Sequence, residues 1–201
     1  MIVKDGIYYA LGLSGGGATA AYWGGYGWGL PFFLLAGFCI YFFRDPERAI
    51  PEGPVAVSPA DGRVVHLAEL GDGWKRISIF LNIFDVHVNR VPVAGKVVER
   101  VYQQGGYRMA HREIASVENE QNSLTIETED GPVTVIQIAG LIARRIVCTK
   151  DVGDQVRKGE RFGLIKFGSR TDLRLGPEWE ILVKPGDRVK GGASVLARRR
   201  P

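Results

Sequence analysis

The sequence predicts a mainly β, α+β protein in two parts, an apolar helical hairpin followed by a β-rich domain. Three observations predict it. From Ile7 to Phe43 there is no charged residue, a run of 37. After residue 44, short β-branched runs alternate with Gly, Asp and Pro turns. Near the C-terminus one turn sequence returns: Gly153-Asp154-Gln155-Val156-Arg157-Lys158-Gly159 reappears 33 residues later as Gly186-Asp187-Arg188-Val189-Lys190-Gly191-Gly192.

Composition sets the outer limits. Hydrophobic residues are 45% and charged residues 24% of the 201, which suits a packed core and not disorder. The length suits one domain with an appendage, divided here as 1–43 and 44–201. A formal net charge of +4 does not imply nucleic acid; it favours an anionic surface such as a bilayer with acidic lipid. Cys39 and Cys148 stand far apart, with no CxxC or Cys/His metal spacing. Neither a disulfide framework nor a metal site is expected, and both are read as buried thiols.

Within the uncharged run, Gly24-Gly25, Gly27, Gly29 and Pro31 break the pattern, giving two short segments at about 7–22 and about 31–43. A full span needs about 20 apolar residues, so two spans, a re-entrant pair and an interfacial hairpin stay open. Trp23, Tyr26 and Trp28 gather at the break, where aromatics favour a lipid–water interface. Lys4 precedes the run and Arg44 and Arg48 follow it, which suits two cytoplasmic ends. A secretory signal cut near Ala18-Thr19-Ala20 is a rival, opposed by the meagre basic start and the second apolar block. A buried core hairpin is another.

Residues 44–54, RDPERAIPEGP, form a charged, Pro-rich linker. Strands are then expected at 62–67, 76–81, 96–102, 123–128 and 133–138, mostly antiparallel, with a weak helical candidate at Tyr107–Val117. The repeated G-D-x-V-[RK]-x-G turn resembles that of barrel-sandwich folds such as lipoyl and biotinyl carriers. A pair of similar hairpin turns accounts for it equally, since Gly and Asp supply that chemistry. No lysine stands at a hairpin tip as a carrier lysine would.

Candidate chemistry is sparse. His66 follows a strand-like run and is read as structural; His111 sits in a loop or helix. His87 lies in Phe84-Asp85-Val86-His87-Val88-Asn89-Arg90-Val91-Pro92, where polar groups crowd an apolar run. Asp61 lies in Ser58-Pro59-Ala60-Asp61-Gly62, which by itself reads as an Asp-Gly turn. No phosphate loop, nucleophile elbow or HExxH is present. Gly168-Ser169 by itself is a turn. It is also a place where a hydroxyl can attack the preceding carbonyl, because glycine leaves room for the attack. Such an N-to-O acyl shift needs a base and an oxyanion donor. Elimination of the ester leaves dehydroalanine, and water converts that to a pyruvoyl group and ammonia.

Taken in order, five stretches resemble the phosphatidylserine decarboxylase family in its short bacterial and archaeal form: 58–62, 84–92, Glu118-Asn119-Glu120-Gln121-Asn122, 137–146 and 159–170. The resemblance covers residues 44–201, and the apolar N-terminus fits it. It implies a proenzyme cut between Gly168 and Ser169 into a β chain, 1–168, and an α chain, 169–201, that associate as a heterodimer. Ser169 would become a covalent pyruvoyl cofactor that forms a Schiff base with the substrate amine. The products would be CO2 and phosphatidylethanolamine, at the cytoplasmic face of the cell membrane. His87 matches a histidine associated with decarboxylation, and Asp61 matches the aspartate of a self-cleavage Asp-His-Ser triad.

Two positions depart from the longer members of the family. Where their H-x-x-H-x-P element has its second histidine, this chain has Arg90, which is no base at neutral pH. Either His87 does both jobs or cleavage uses another base. Arg170 replaces a small hydroxyl residue, and either binds lipid carboxylate or phosphate or faces water. Arg44, Arg48, Arg144, Arg145 and the tail 198–200 either face acidic headgroups or are simply solvated. Three rival functions remain: a non-catalytic membrane-tethered β-barrel module, a pyruvoyl decarboxylase of a soluble amino acid, and a decarboxylase of an ether-linked serine lipid (archaetidylserine).

Overall fold

Lys4–Gly24 forms α1 and Tyr26–Phe42 forms α2. The structure is a computed structural model and describes residues 2–106, 118–140, 145–165 and 169–200. The expected break over residues 24–31 is corrected: Gly25 alone, with φ 89°, separates the helices, and Pro31 lies inside α2. The small residues serve packing instead. A β-carbon on Gly29 would sit 2.7 Å from the Gly17 carbonyl oxygen and 2.9 Å from the Ala21 β-carbon, so the two backbones approach closely. The Val3 N–H donates to the Phe43 carbonyl at 2.9 Å and closes the open end of the hairpin. Among the described residues no helix is long and apolar enough to cross a membrane. The chain divides into two compact units, Met1–Glu47 and Arg48–Pro201.

The second unit is built on an antiparallel sheet of eight strands. Its spatial order is β13 (Arg188–Val189), β2 (Gly62–Gly71), β3 (Trp74–Leu81), β11 (Ser169–Leu175), β7 (Gly131–Ile138), β6 (Gln121–Thr128), β5 (Gly95–Gln103) and β9 (Gln155–Val156). The five strands expected from sequence are β2, β3, β5, β6 and β7. Tyr107–Val117 lies outside the described residues. Two smaller sheets complete the domain. One is β1 (Val55–Val57), β14 (Val195–Arg199) and β12 (Trp179–Ile181). The other is β4 (Val88–Arg90), β10 (Arg161–Ile165) and β8 (Ile146–Cys148).

Side chains alternate across a strand, so each strand of the large sheet offers one face to the core. Ile77, Ile79 and Leu81 of β3, Leu173 and Leu175 of β11, Val133 and Val135 of β7, and Leu124 and Ile126 of β6 meet there, with Phe162 of β10 packed in the same cluster. The opposite face buries charge. Arg170 donates to Asp172 through Nε at 2.6 Å and Nη2 at 2.9 Å, and to Ser78 Oγ at 2.6 Å.

The repeated turns are structural equivalents at the two ends of this sheet, one leading into β9 and one into β13. Gly153 and Gly186 both have φ 99°, and Gly159 and Gly192 have φ 79° and 78°. The Gly153 N–H donates to Val97 of β5 and the Gly186 N–H to Val64 of β2, both at 2.8 Å. The Asp of each turn accepts a backbone N–H at 2.9 Å, from Asp151 and from Lys184. A repeat read from seven residues thus marks an approximate two-fold relation between sheet ends.

Candidate active site

Ser169 is the first residue of β11, the strand between β3 and β7. It pairs with Leu81 and shares the core face with Thr171 and Leu173. Its hydroxyl is buried and makes no hydrogen bond among the described residues. A buried unpaired hydroxyl is unfavourable, which marks Ser169 as a candidate for chemistry. Gly168 lies outside the described residues. The chain leaves the small sheet at Ile165 and enters the large sheet at Ser169, so the Gly168-Ser169 bond falls on the crossing between the two.

β4 brings His87 to that crossing. Val88 pairs with Leu164 of β10, and the His87 carbonyl accepts the Ile165 N–H at 3.4 Å. The imidazole is fully buried, with Nδ1 2.9 Å from the Asp85 carbonyl oxygen. A carbonyl only accepts, so Nδ1 carries the proton and Nε2 is the basic nitrogen of the neutral ring.

Asp61 sits on the adjoining loop. The Arg90 N–H donates to the Pro59 carbonyl at 2.9 Å, joining β4 to this loop, and Ser58 Oγ donates to the Ala60 carbonyl at 2.6 Å. Gly62 has φ 152°, and a β-carbon on it would lie 2.2 Å from the Phe80 carbonyl oxygen. Only glycine lets the chain turn there and leave Asp61 facing inward. Oδ1 accepts the Gly191 N–H at 2.7 Å, and Arg48 Nη2 binds Oδ1 at 3.0 Å and Oδ2 at 2.7 Å. Burial pushes the Asp61 carboxyl above its ordinary range, while the Gly191 N–H and Arg48 oppose that rise. Asp61 has no hydrogen bond to His87 or Ser169 among the described residues; its charged partner is Arg48. Arg48 is therefore not a headgroup-facing residue, a correction to the sequence reading.

Arg90 is a structural residue. It is buried, Nη1 donates to the Gly159 carbonyl at 3.1 Å, and its stem passes Gly192 so closely that a β-carbon there would lie 2.8 Å from Arg90 Cδ. It thus lies between the two repeated turns. Arg170 neither faces water nor offers its guanidinium to a ligand, since Asp172 and Ser78 hold it on the far side of the sheet. Arg198 and Arg199 form the end of β14, paired with Val55 and Trp179, and are exposed there. Both cysteines are half-buried rather than buried. Arg144 and His111 lie outside the described residues.

Sequence reasoning missed a row of buried polar side chains beside Ser169: Asn122, Gln137, Asn89 and Thr171. The signal lay in the strands themselves. Gln137 and Asn122 interrupt the apolar face that Val133, Val135, Leu124 and Ile126 otherwise keep.

Residues 35–197 match the family model described as phosphatidylserine decarboxylase. A phosphatidylserine decarboxylase proenzyme of Solibacter usitatus is 57% identical over 198 residues, 98% of this chain and 97% of the relative. Proteins of the same description from Aromatoleum aromaticum and Saccharopolyspora erythraea are 47% and 48% identical, covering 86% and 82% of this chain and 84% and 74% of theirs.

Proposed function

The chain belongs to the phosphatidylserine decarboxylase family, and we propose that it is a proenzyme that splits itself between Gly168 and Ser169 and then decarboxylates a serine phospholipid. The observation that carries this reading is the Ser169 hydroxyl, buried without a partner at the head of a central strand. It fits a group that is consumed. Oγ adds to the Gly168 carbonyl carbon, the peptide nitrogen leaves as the Ser169 amine, and an ester joins the two. Loss of the Ser169 Cα proton expels the Gly168 carboxylate and leaves dehydroalanine. One water enters and one ammonia departs, which leaves a pyruvoyl group at residue 169.

That group supplies an electron-withdrawing carbonyl for the amine and carboxylate of a serine headgroup. His87 does the proton work. With Nδ1–H donating to the Asp85 carbonyl, Nε2 takes a proton from the substrate ammonium group as it becomes the free amine and delivers it to the α-carbon once CO2 has left. Asp61, half-buried on the loop bonded to β4, supplies the carboxylate that the family resemblance assigns to self-cleavage. Residues 169–200 stay with the rest after the cut, because β11 is hydrogen-bonded to β3 and β7, and β14 to β1. A heterodimer of chains 1–168 and 169–201 follows.

The hairpin exposes Trp23, Tyr26 and Trp28 around Gly25, together with Tyr8, Leu11 and Leu34. Aromatics in that position suit a lipid–water interface, and Lys4 and Arg44 at the base suit the cytoplasmic side. This supports residence at the cell membrane, where a phospholipid substrate lies. The test is the intact mass of the purified protein under denaturing conditions. Two chains divided after Gly168, the smaller reacting with hydroxylamine through a ketone, are expected. One whole chain of 22.1 kDa would remove the reading.

A further inference from the structure

The buried polar row crosses the same sheet face that holds Ser169. Asn122 Nδ2 donates to Gln137 Oε1 at 3.1 Å, and Gln137 Nε2 donates to Asn89 Oδ1 at 2.9 Å and to the Val147 carbonyl at 3.2 Å. Asn89 Nδ2 donates to Thr171 Oγ1 at 3.4 Å. All four side chains are at most 1% exposed, and their neighbours on this face are Leu124, Val135 and Leu173. Apolar residues would fill the row without the desolvation cost of amides. A satisfied buried network fixes one arrangement of the elements it joins.

What it joins is informative. Asn122, Gln137 and Thr171 belong to the large sheet, whereas Asn89 and the Val147 carbonyl belong to the small one. Gly163 of β10 makes room for the link. It has no positive φ, yet a β-carbon on it would lie 2.6 Å from Gln137 Nε2 and 2.3 Å from the Val147 oxygen. Glycine at this position is a slot for the amide. The link is also close to the reacting groups in sequence. Thr171 follows Ser169 by two on the same face of β11, and Asn89 of β4 follows His87, the residue immediately before that strand, by two.

Taking Ser169 and His87 in the roles proposed above, we infer that Gln137 is a positioning residue. Through Asn89 and Thr171 it holds β4, and with it the adjoining His87, in register with Ser169 across the gap between the two sheets. Before the cut, the covalent crossing from Ile165 to Ser169 assists it. After the cut that crossing is gone and the amide row remains, so its loss is felt in both self-cleavage and turnover.

The test compares three full-length variants, Gln137→Met, Thr171→Val and Asn122→Leu. Each removes hydrogen bonds from the same row, but Asn122→Leu leaves the Gln137–Asn89–Thr171 link in place. The time course of splitting is followed by intact mass, the unfolding midpoint is recorded, and kcat and KM of the processed fraction are measured on phosphatidylserine in mixed micelles. Gln137→Met and Thr171→Val should split at least tenfold more slowly than wild type, with kcat lowered and KM unchanged. Asn122→Leu should lose comparable thermal stability and split at close to the wild-type rate. If splitting in all three follows the unfolding midpoint, the row is only structural and the inference fails. If Gln137→Met does not fold, the isosteric Thr171→Val decides alone. A wild-type chain that stays whole removes the proposed function, and the inference with it.

Discussion

At the scale of single residues, hydrogen-bond partners distinguish Ser169 from its neighbour. Ser169 and Arg170 are adjacent and equally buried, yet Arg170 has its carboxylate and hydroxyl partners on the far face while the Ser169 hydroxyl has none among the described residues. Ser169→Ala is therefore expected to fold, remain one chain and be inactive, as intact mass and CO2 release would report. His87→Ala is expected to lose decarboxylation by two or more orders of magnitude, the range of a removed general acid–base. If it still splits, the processing base is another group. Asp61 carries a pH prediction. Burial raises its carboxyl, so the folded state holds that proton more tightly than the unfolded state does. Its contribution to stability is full below the unfolded value and is lost as pH rises through the raised folded value. Arg48 works against the rise. Arg48→Met should move the Asp61 midpoint in a carboxyl NMR titration further upward, and a downward move would show that Arg48 is not its controlling partner.

At the scale of elements, the two repeated turns carry the most quantitative expectation. Gly153 and Gly186 have the same φ of 99°, and a β-carbon on either meets nothing within 4 Å. Alanine at either site thus costs conformational strain alone, about 1–2 kcal/mol. Denaturant unfolding in the uncut Ser169→Ala background should give two losses equal within error. Gly62→Ala should cost more, because its β-carbon also meets the Phe80 carbonyl. Unequal losses at 153 and 186 would mean that the likeness of the turns is superficial. These elements also show what a sequence can carry. Strands β2, β3, β5, β6 and β7 were legible because period-two alternation and Gly/Asp turns are local signals. The break at Gly25 was drawn too wide because Gly29 serves contact with Gly17 and Ala21 of the other helix, and propensity does not register contact. The polar row was missed because Asn122 and Gln137 each look like one tolerable polar residue in a strand. Only strand pairing lines them up with Asn89 and Thr171. Arg48 was misread for a related reason: its partner lies thirteen residues away across a turn.

At the scale of the whole molecule, the proposed function raises the question of how a β-rich domain would reach a substrate in a bilayer. The residues assigned to the chemistry, from Asp61 to Thr171, all belong to the unit that begins at Arg48. The exposed aromatics belong to the other: Trp23, Tyr26 and Trp28 are 82%, 94% and 71% exposed. Side chains so exposed contribute little to packing within the hairpin, so replacing them tests the membrane without testing the fold. The triple variant Trp23→Ser, Tyr26→Ser, Trp28→Ser should partition roughly tenfold less onto vesicles containing phosphatidylserine, about 1.4 kcal/mol. Co-sedimentation measures this directly. Self-cleavage, an intramolecular reaction within the second unit, should proceed at the wild-type rate in the same preparation. Decarboxylation should fall on vesicles and persist on a short-chain serine phospholipid dissolved as monomer. That combination would mean that the hairpin delivers the domain to its substrate and takes no part in the reaction. Unchanged partitioning would move the membrane contact elsewhere on the chain. A parallel loss of self-cleavage would mean that the hairpin is needed to assemble the site, and its exposed aromatics would then need an explanation other than lipid.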